Sequence, residues 1–157
     1  MSNLMKYFNR ALEIICIFIF AFIVVVGAYQ IITRYVFNAP STKSEELLTY
    51  SFTWLALLSA SLVFGKREHM AMTFLYDKLT ENKKRIVSII NEIFVLVFAL
   101  VVLVYGGIAI TRLTATQVTA SLGIPMSYVY AVVPLCGFIT AFYSVVNIIG
   151  ILKGGKV

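Results

Sequence analysis

The stretch of sequence that decides the fold is RYVFNAPSTKSEELLTYSFTW, residues 34–54. It separates two almost entirely apolar, uncharged runs, residues 14–33 and 47–65, which contain 20 and 19 residues. About 20 apolar residues in a helix are enough to span the hydrocarbon core of a bilayer. The stretch is therefore predicted to be the polar turn of a helical hairpin that crosses a membrane twice.

Local signals end one helix and begin another inside this turn. Pro40 has no backbone N–H and disfavours the helical conformation of the residue before it. A new helix can then be capped by Ser44, or by Thr42 with Glu45 in a capping box. Glu45 and Glu46 would lie in its first turn, where the helix dipole favours anions. The second helix is predicted to begin near residue 44.

We expect the end of the first helix and the start of the second to lie at one membrane surface. Arg34 would then be close enough to pair with Glu45 or Glu46. Two interpretations remain open. The charges are either the solvated ends of capped helices or part of an interface with another protein. Exposed ion pairs contribute only about 0–1 kcal/mol, so charge alone does not decide between them.

The composition is that of an integral membrane protein. The chain has 157 residues, of which 61% are hydrophobic and 13% charged. A soluble domain usually has about 25% charged residues. The net charge of +6 could suggest a nucleic-acid partner. However, the basic residues flank apolar segments and form no stripe between aromatic residues, so membrane topology explains them better and no nucleic acid is expected.

No cofactor, metal site or enzymatic activity is predicted. Cys16 and Cys136 lie inside apolar segments without nearby metal-ligand partners, which is typical of small buried hydrophobic residues. His69 is the only histidine. A zinc or haem centre built by this chain alone would need more ligands. The sequence also lacks a recognisable nucleophile–base constellation.

The predicted fold is all-α, a single four-helix transmembrane domain over residues 1–157. A cytoplasmic amphipathic helix, about 68–80, is expected to lie in the lipid interface because its apolar residues fall on one face. Pro134, one turn before Gly137, predicts a kink in the last helix. The four spans are expected at about 11–34, 44–65, 86–111 and 124–152.

The distribution of Lys and Arg predicts the orientation. With four crossings, ten of these residues fall on the side of the two termini and the 66–85 loop, and three fall on the other side, namely Arg34, Lys43 and Arg112. Cytoplasmic loops are enriched in Lys and Arg. Both termini are therefore predicted to be cytoplasmic, with the hairpin turn outside and with Arg67 and His69 at the cytoplasmic interface.

Glu92 is the one acidic residue well inside an apolar segment, about two turns from the predicted cytoplasmic edge. An ionisable residue at membrane depth suggests function. Two interpretations are open. Glu92 either pairs structurally, with Arg85, Lys66 or Arg67 of this chain or with a partner protein, or it carries an ion or proton.

Several motifs together resemble the small membrane subunit of tripartite ATP-independent periplasmic (TRAP) transporters, the DctQ-like family. The resemblance covers nearly the whole chain, and the hairpin turn is its most specific part. The motifs are RYVFNxP at 34–40, EEL at 45–47, WL at 54–55, RxHM at 67–70 and IPM at 124–126.

The resemblance implies a non-catalytic subunit of a secondary transporter in the bacterial inner membrane. Such a subunit pairs with a large multi-helix permease, which it is thought to scaffold. A soluble periplasmic binding protein delivers an organic anion, commonly a dicarboxylate or a sugar acid such as sialic acid, and an ion gradient, usually of sodium, drives symport. We expect the contacts with partners or membrane lipids to involve Arg34, Asn38, Glu45, Glu46, Trp54 and Glu92.

The alternative is an autonomous small drug or ion exporter that works as a dimer. Four-helix exporters of this kind use one membrane-embedded glutamate, and here Glu92 would have to serve. Its predicted position near the cytoplasmic side argues against that role.

Overall fold

The computed structural model describes residues 3–66 and 81–152, and regular structure in this part is helical apart from one isolated antiparallel bridge between Val118 and Pro125. The all-α prediction is confirmed. The expected interfacial helix at 68–80, with Arg67 and His69, lies outside the described residues. The elements are α1 (Asn3–Tyr35), α2 (Thr42–Lys66), α3 (Glu81–Phe98), a π-helical segment (Ala99–Gly106), α4 (Gly107–Leu113), α5 (Met126–Tyr130) and α6 (Val132–Leu152).

Within the described residues, four helical stretches are long and apolar enough to cross a membrane, as predicted. Their bounds are Met5–Tyr35, Thr42–Lys66, Lys83–Leu113 and Met126–Leu152. The first helix begins at Asn3, well before the expected start near residue 11. A helix satisfies its own backbone hydrogen bonds, so it can continue past the end of the apolar run into polar sequence.

The start of α2 is capped by Ser41. The Ser44 N–H donates to Ser41 Oγ at 3.4 Å, and the Ser44 hydroxyl donates to the same oxygen at 3.0 Å. The cap therefore lies one residue before Thr42 and three before Ser44, the two residues that the sequence suggested. Ser41 directly follows Pro40, which keeps the chain extended up to the cap.

The third span changes helix type in its middle. Eight residues, Ala99–Gly106, form a π-helix, and α-helical bonding resumes at Gly107, whose N–H reaches the carbonyls of Leu103 and Val104. A π-helix is wider than an α-helix and is rare. Gly137 of α6 packs against this segment so closely that an added Cβ would lie 2.8 Å from Leu103 Cβ. We refer to residues 99–106 as the π segment.

The fourth span is broken once, at Ala131, between α5 and α6. Pro134 lies four residues after Tyr130 and cannot donate to its carbonyl, which interrupts helical hydrogen bonding at this point. The Ala131 N–H still donates to the Ser127 carbonyl at 2.9 Å. Ala131 also keeps helical backbone angles, with φ −59° and ψ −24°, so the kink expected around Pro134 stays a prediction.

The chain divides into two compact units. Unit 1 comprises Met1–Ala60 and Ile110–Val132, and unit 2 comprises Ser61–Ala109 and Val133–Val157. In unit 2, the largest fully buried side chains lie along α6. Tyr143 is 1% exposed there, and a Cβ added to Gly65 would lie 2.6 Å from its ring. Helix α2 therefore needs a glycine where it meets this tyrosine.

Candidate functional site

The carboxylate of Glu46 is a bonding centre in unit 1. It lies in the second turn of α2 and accepts four hydrogen bonds. Oε2 accepts the N–H groups of Ser121 and Leu122 at 2.9 and 2.8 Å. Oε1 accepts the Ala120 N–H at 3.1 Å and the Tyr50 hydroxyl at 2.8 Å. Glu46 thus joins α2 to the loop between α4 and α5.

This loop, residues 114–125, is folded so that its backbone donors converge on Glu46. The Thr119 N–H donates to the Ile124 carbonyl at 2.8 Å, and the Ile124 N–H donates back to Thr119 Oγ1 at 3.1 Å. Gly123 turns the chain with a φ of +69°, a conformation that glycine adopts without strain. Successive N–H groups in such a turn form an anion-binding nest, and here a carboxylate of the same chain fills it.

The expected pairing of Arg34 with the acidic pair does not form. Arg34 and Glu45 are both exposed, and neither side chain has a hydrogen bond or ion pair in the described part of the chain. Consecutive residues of an α-helix point about 100° apart, so Glu45 and Glu46 face different surroundings. Asn38 is also exposed and adopts a left-handed φ of +50°, which asparagine tolerates better than most residues.

Trp54 lines an apolar groove in unit 1. It lies eight residues after Glu46 on α2 and is half-buried. The groove has a volume of about 440 Å³ and is lined mainly by aromatic and aliphatic side chains, including Phe18, Phe22, Tyr50 and Tyr128. Its surface suits an apolar occupant, such as a lipid chain or a helix of another protein.

Glu92 bonds to neutral groups of α6 in unit 2. The Ser144 hydroxyl donates to its Oε2 at 2.8 Å and to its backbone carbonyl at 3.1 Å, and the Asn147 amide donates to Oε1 at 3.0 Å. Glu92 is 9% exposed. Arg85, one of the partners expected for Glu92, instead donates to the Leu152 carbonyl at 2.7 Å, at the end of α6.

The sequence reasoning missed the polar side of α6. Thr140, Ser144 and Asn147 follow each other at spacings of four and three residues, which places them on one helix face. The Thr140 hydroxyl donates to Ser61 Oγ at 3.2 Å, and Ser61 donates to the Cys136 carbonyl at 3.4 Å. This spacing was visible in the sequence and predicts a helix face that packs inside the protein.

Within residues 3–66 and 81–152, no three His, Cys, Asp or Glu side chains are grouped so that they could hold a metal ion. The bonded acidic groups described above contact backbone amides, hydroxyls and a side-chain amide. Through these bonds Glu46 ties α2 to the loop, and Glu92 ties α3 to α6.

Comparison with known proteins identifies the family. The family described as "Tripartite ATP-independent periplasmic transporters, DctQ component" matches residues 23–154. The small permease protein SiaQ of a Vibrio cholerae sialic acid TRAP transporter is 30% identical over 98% of this chain and 88% of its own length. A Haemophilus influenzae protein whose name places it among the TRAP small permeases is 28% identical over 95% of this chain and 92% of its own length.

A further relative is a much longer protein. The sialic acid TRAP transporter permease protein SiaT of Haemophilus influenzae is 26% identical over 88% of this chain, and the match occupies 22% of that protein. The four membrane-length helices, the family match and these relatives agree. This chain is a multi-pass membrane protein that belongs to the DctQ component family of tripartite ATP-independent periplasmic transporters.

Proposed function

We propose that this chain is the non-catalytic small permease subunit of a TRAP transporter in the bacterial inner membrane. It scaffolds a large permease subunit that imports an organic anion by symport with an ion, usually sodium. Two relatives carry sialic acid in their names, which supports a sugar acid as the substrate, with a dicarboxylate as the other candidate. Both termini are cytoplasmic in this proposal, and the turn between α1 and α2 faces outward.

The observation that carries this proposal is the large apolar surface that the helices leave exposed. In the most apolar windows of the first three spans, only 6%, 11% and 11% of residues are buried, against 39% in the fourth. Lipid can cover part of such a surface, and a partner protein can cover the rest. The match to 22% of SiaT supports a large permease as that partner, since a stretch similar to this chain lies within a longer permease there.

The two well-bonded acidic groups also support a scaffolding role. Glu46 bonds to the loop of its own unit, and Glu92 bonds to Ser144 and Asn147. A transport site requires polar groups that exchange their bonds with a substrate or ion. Side chains that fasten one helix to another serve the structure of the subunit instead.

Affinity purification tests the proposal. The tagged chain is extracted from its native membrane in mild detergent, and the proteins that accompany it are identified by mass spectrometry. A multi-helix permease in stoichiometric amount is expected. Recovery of this chain alone as a stable homodimer would favour the autonomous exporter, and the Glu92→Gln variant would then be assayed for transport in liposomes that contain only this chain.

Reconstituted uptake tests the substrate and the coupling ion. Liposomes that contain the large permease, with or without this chain, are supplied with a binding protein, labelled sialic acid or a labelled dicarboxylate, and a sodium gradient. Uptake of one of these anions only in the presence of both the chain and the sodium gradient is expected. Equal uptake without this chain would contradict the scaffolding role.

A further inference from the structure

Another apolar groove lies in unit 2, on the side of α3 that carries Phe94 and Phe98. It has a volume of about 260 Å³, and its lining side chains are apolar apart from the Thr140 hydroxyl. That hydroxyl donates to Ser61 Oγ at 3.2 Å, so the groove offers an occupant mainly apolar contacts. We call it the α3 groove, and its lining residues are Phe64, Phe94, Val95, Phe98, Leu103 and Thr140.

The π segment helps to form this groove. In an uninterrupted α-helix, Leu103 would point to the side opposite Phe94, because nine residues at about 100° each end half a turn out of phase. A π-helix needs more residues for each turn, since its hydrogen bonds span five residues instead of four. The change of helix type at Ala99 therefore turns Leu103 back toward the groove and α6, where a Cβ on Gly137 would lie 2.8 Å from Leu103 Cβ.

The exposed face of α3 leads from this groove to a lysine. One helix face carries a row of residues at spacings of four, seven and four, namely Lys83, Val87, Phe94 and Phe98. The three apolar members are 44%, 72% and 51% exposed, and Lys83 is exposed as well. The Lys83 side chain has no hydrogen bond or ion pair within the described residues. An apolar stripe thus connects an available cation with the groove.

The distance between the lysine and the groove fits one leaflet of a bilayer. Phe94 lies 11 residues after Lys83. At 1.5 Å per residue, this separation is about 16 Å along the helix axis. The hydrocarbon core of a bilayer is about 30 Å thick, so one leaflet contributes about 15 Å. A phospholipid whose headgroup contacts Lys83 can therefore extend an acyl chain along Val87 and into the groove.

The charge at this end of α3 complements an anionic headgroup. Lys83 begins a run of three basic residues, Lys83–Arg85. Arg85 serves the protein itself, because it donates to the Leu152 carbonyl at the end of α6, and Lys84 is half-buried. Basic residues beside a span attract anionic lipids, and a long lysine side chain can reach the level of the headgroups.

We propose that Lys83 and the α3 groove form a binding site for an anionic phospholipid. The headgroup pairs with Lys83, and one acyl chain lies in the groove. The inference goes beyond the proposed function and requires only that the chain spans a membrane. The leaflet is the cytoplasmic one in the proposed orientation.

The position of the lysine favours a lipid over a helix of the large permease as the occupant. An apolar helix needs only the groove and the stripe. A phospholipid also needs a charged group at the membrane surface, one leaflet away from the place where its chain ends. Lys83 provides that charge on the same face of α3.

Photo-crosslinking tests the site. The full chain is purified from its native membrane in mild detergent, together with the proteins that accompany it, and transferred to nanodiscs of phosphatidylcholine, which is zwitterionic. The probe is phosphatidylglycerol that carries a photoreactive diazirine in one acyl chain, and phosphatidylcholine with the same chain is the headgroup control. After illumination, mass spectrometry locates and quantifies the label on peptides of this chain.

We expect the phosphatidylglycerol probe to label residues 94–103 more strongly than the phosphatidylcholine probe does. Lys83→Gln should lower this labelling about fivefold, because one basic residue near the membrane surface strengthens the binding of anionic lipid by about that factor. Lys83→Arg keeps the charge and should be labelled like the wild type. The matched control, Lys6→Gln, removes the same charge from another exposed lysine that is predicted to be cytoplasmic and should also be labelled like the wild type.

A second variant tests the place of the acyl chain. Val95→Phe narrows the groove and leaves Lys83 unchanged, so it should lower the labelling of residues 94–103 by both probes. Labelling at the wild-type level in this variant would show that the chain lies elsewhere.

Three further outcomes would overturn the inference. Equal labelling by the two probes would show that the groove accepts lipid without regard to charge. Unchanged labelling in Lys83→Gln would show that this lysine does not hold the headgroup. Labelling that appears only when the chain is separated from a permease would assign the groove to that partner. Failure of the chain to purify with a permease would bear on the proposed function and not on this site.

Discussion

The close approach of α6 to the π segment provides a sharp test of the structure, through the substitution Gly137→Ala. A Cβ at this position would lie 2.8 Å from Leu103 Cβ and 2.9 Å from the backbone nitrogen of Val104. Ordinary contacts begin at 3.4 Å. Neither atom is the end of a flexible side chain, so the two helical segments would have to separate.

The size of the effect follows from two opposing contributions. Alanine is favoured over glycine inside a helix by about 1 kcal/mol. Overpacking a well-packed interior costs about 1–3 kcal/mol. Gly150→Ala on the same helix is the matched control, because a Cβ there meets no atom within 4 Å. The helix-propensity gain is common to both variants, so Gly137→Ala should be about 1–3 kcal/mol less stable than Gly150→Ala.

Reversible unfolding of the purified chain in mixed micelles measures this difference. Sodium dodecyl sulfate is titrated into a mild detergent while circular dichroism reports helix content, and the fluorescence of Trp54, the only tryptophan, provides a second probe. The free energies of unfolding of the two variants are then compared under the same conditions. If Gly137→Ala is as stable as Gly150→Ala, the π segment does not pack on α6 as the structure shows.

Two further predictions concern the bonded acidic groups. Glu46→Gln should speed amide hydrogen exchange at residues 120–122 by at least about tenfold, because local opening of the loop no longer breaks charge-assisted hydrogen bonds. The control, Glu45→Gln, should leave exchange at these residues unchanged. Equal effects of the two substitutions would contradict the bonding described for Glu46. Ser144→Ala removes a hydroxyl that bonds to Glu92 and should lower the free energy of unfolding in micelles by about 1 kcal/mol. A variant as stable as the wild type would argue against that hydrogen bond.

Much of the fold followed from local sequence patterns. The length of the uncharged runs predicted four spans, and Pro40 with the polar residues after it predicted the turn between the first two. These signals act within one or two helical turns, so they can be read without knowledge of the fold. The cap of α2 was placed slightly late, since Ser41, Thr42 and Ser44 are all good capping residues and only the backbone geometry distinguishes them.

The candidate site was predicted less completely. Glu46 and Glu92 were identified from the sequence because an acidic residue beside or within an apolar run is energetically costly and unusual. Several of their partners were not found. Arg34 was expected to pair with the acids of the hairpin turn, but Glu46 bonds to three backbone N–H groups and to the Tyr50 hydroxyl. Ser144 and Asn147, which bond to Glu92, were not foreseen either.

The sequence alone determined that this chain is a four-span helical membrane protein of the DctQ family, because hydropathy and short motifs are local properties. Only the tertiary structure decided which groups bond to Glu46 and Glu92. Glu46 bonds to residues 74–76 positions away, and Glu92 to residues 52 and 55 positions away. No local pattern specifies such pairs, since they depend on which helix faces and loops come together when the chain packs.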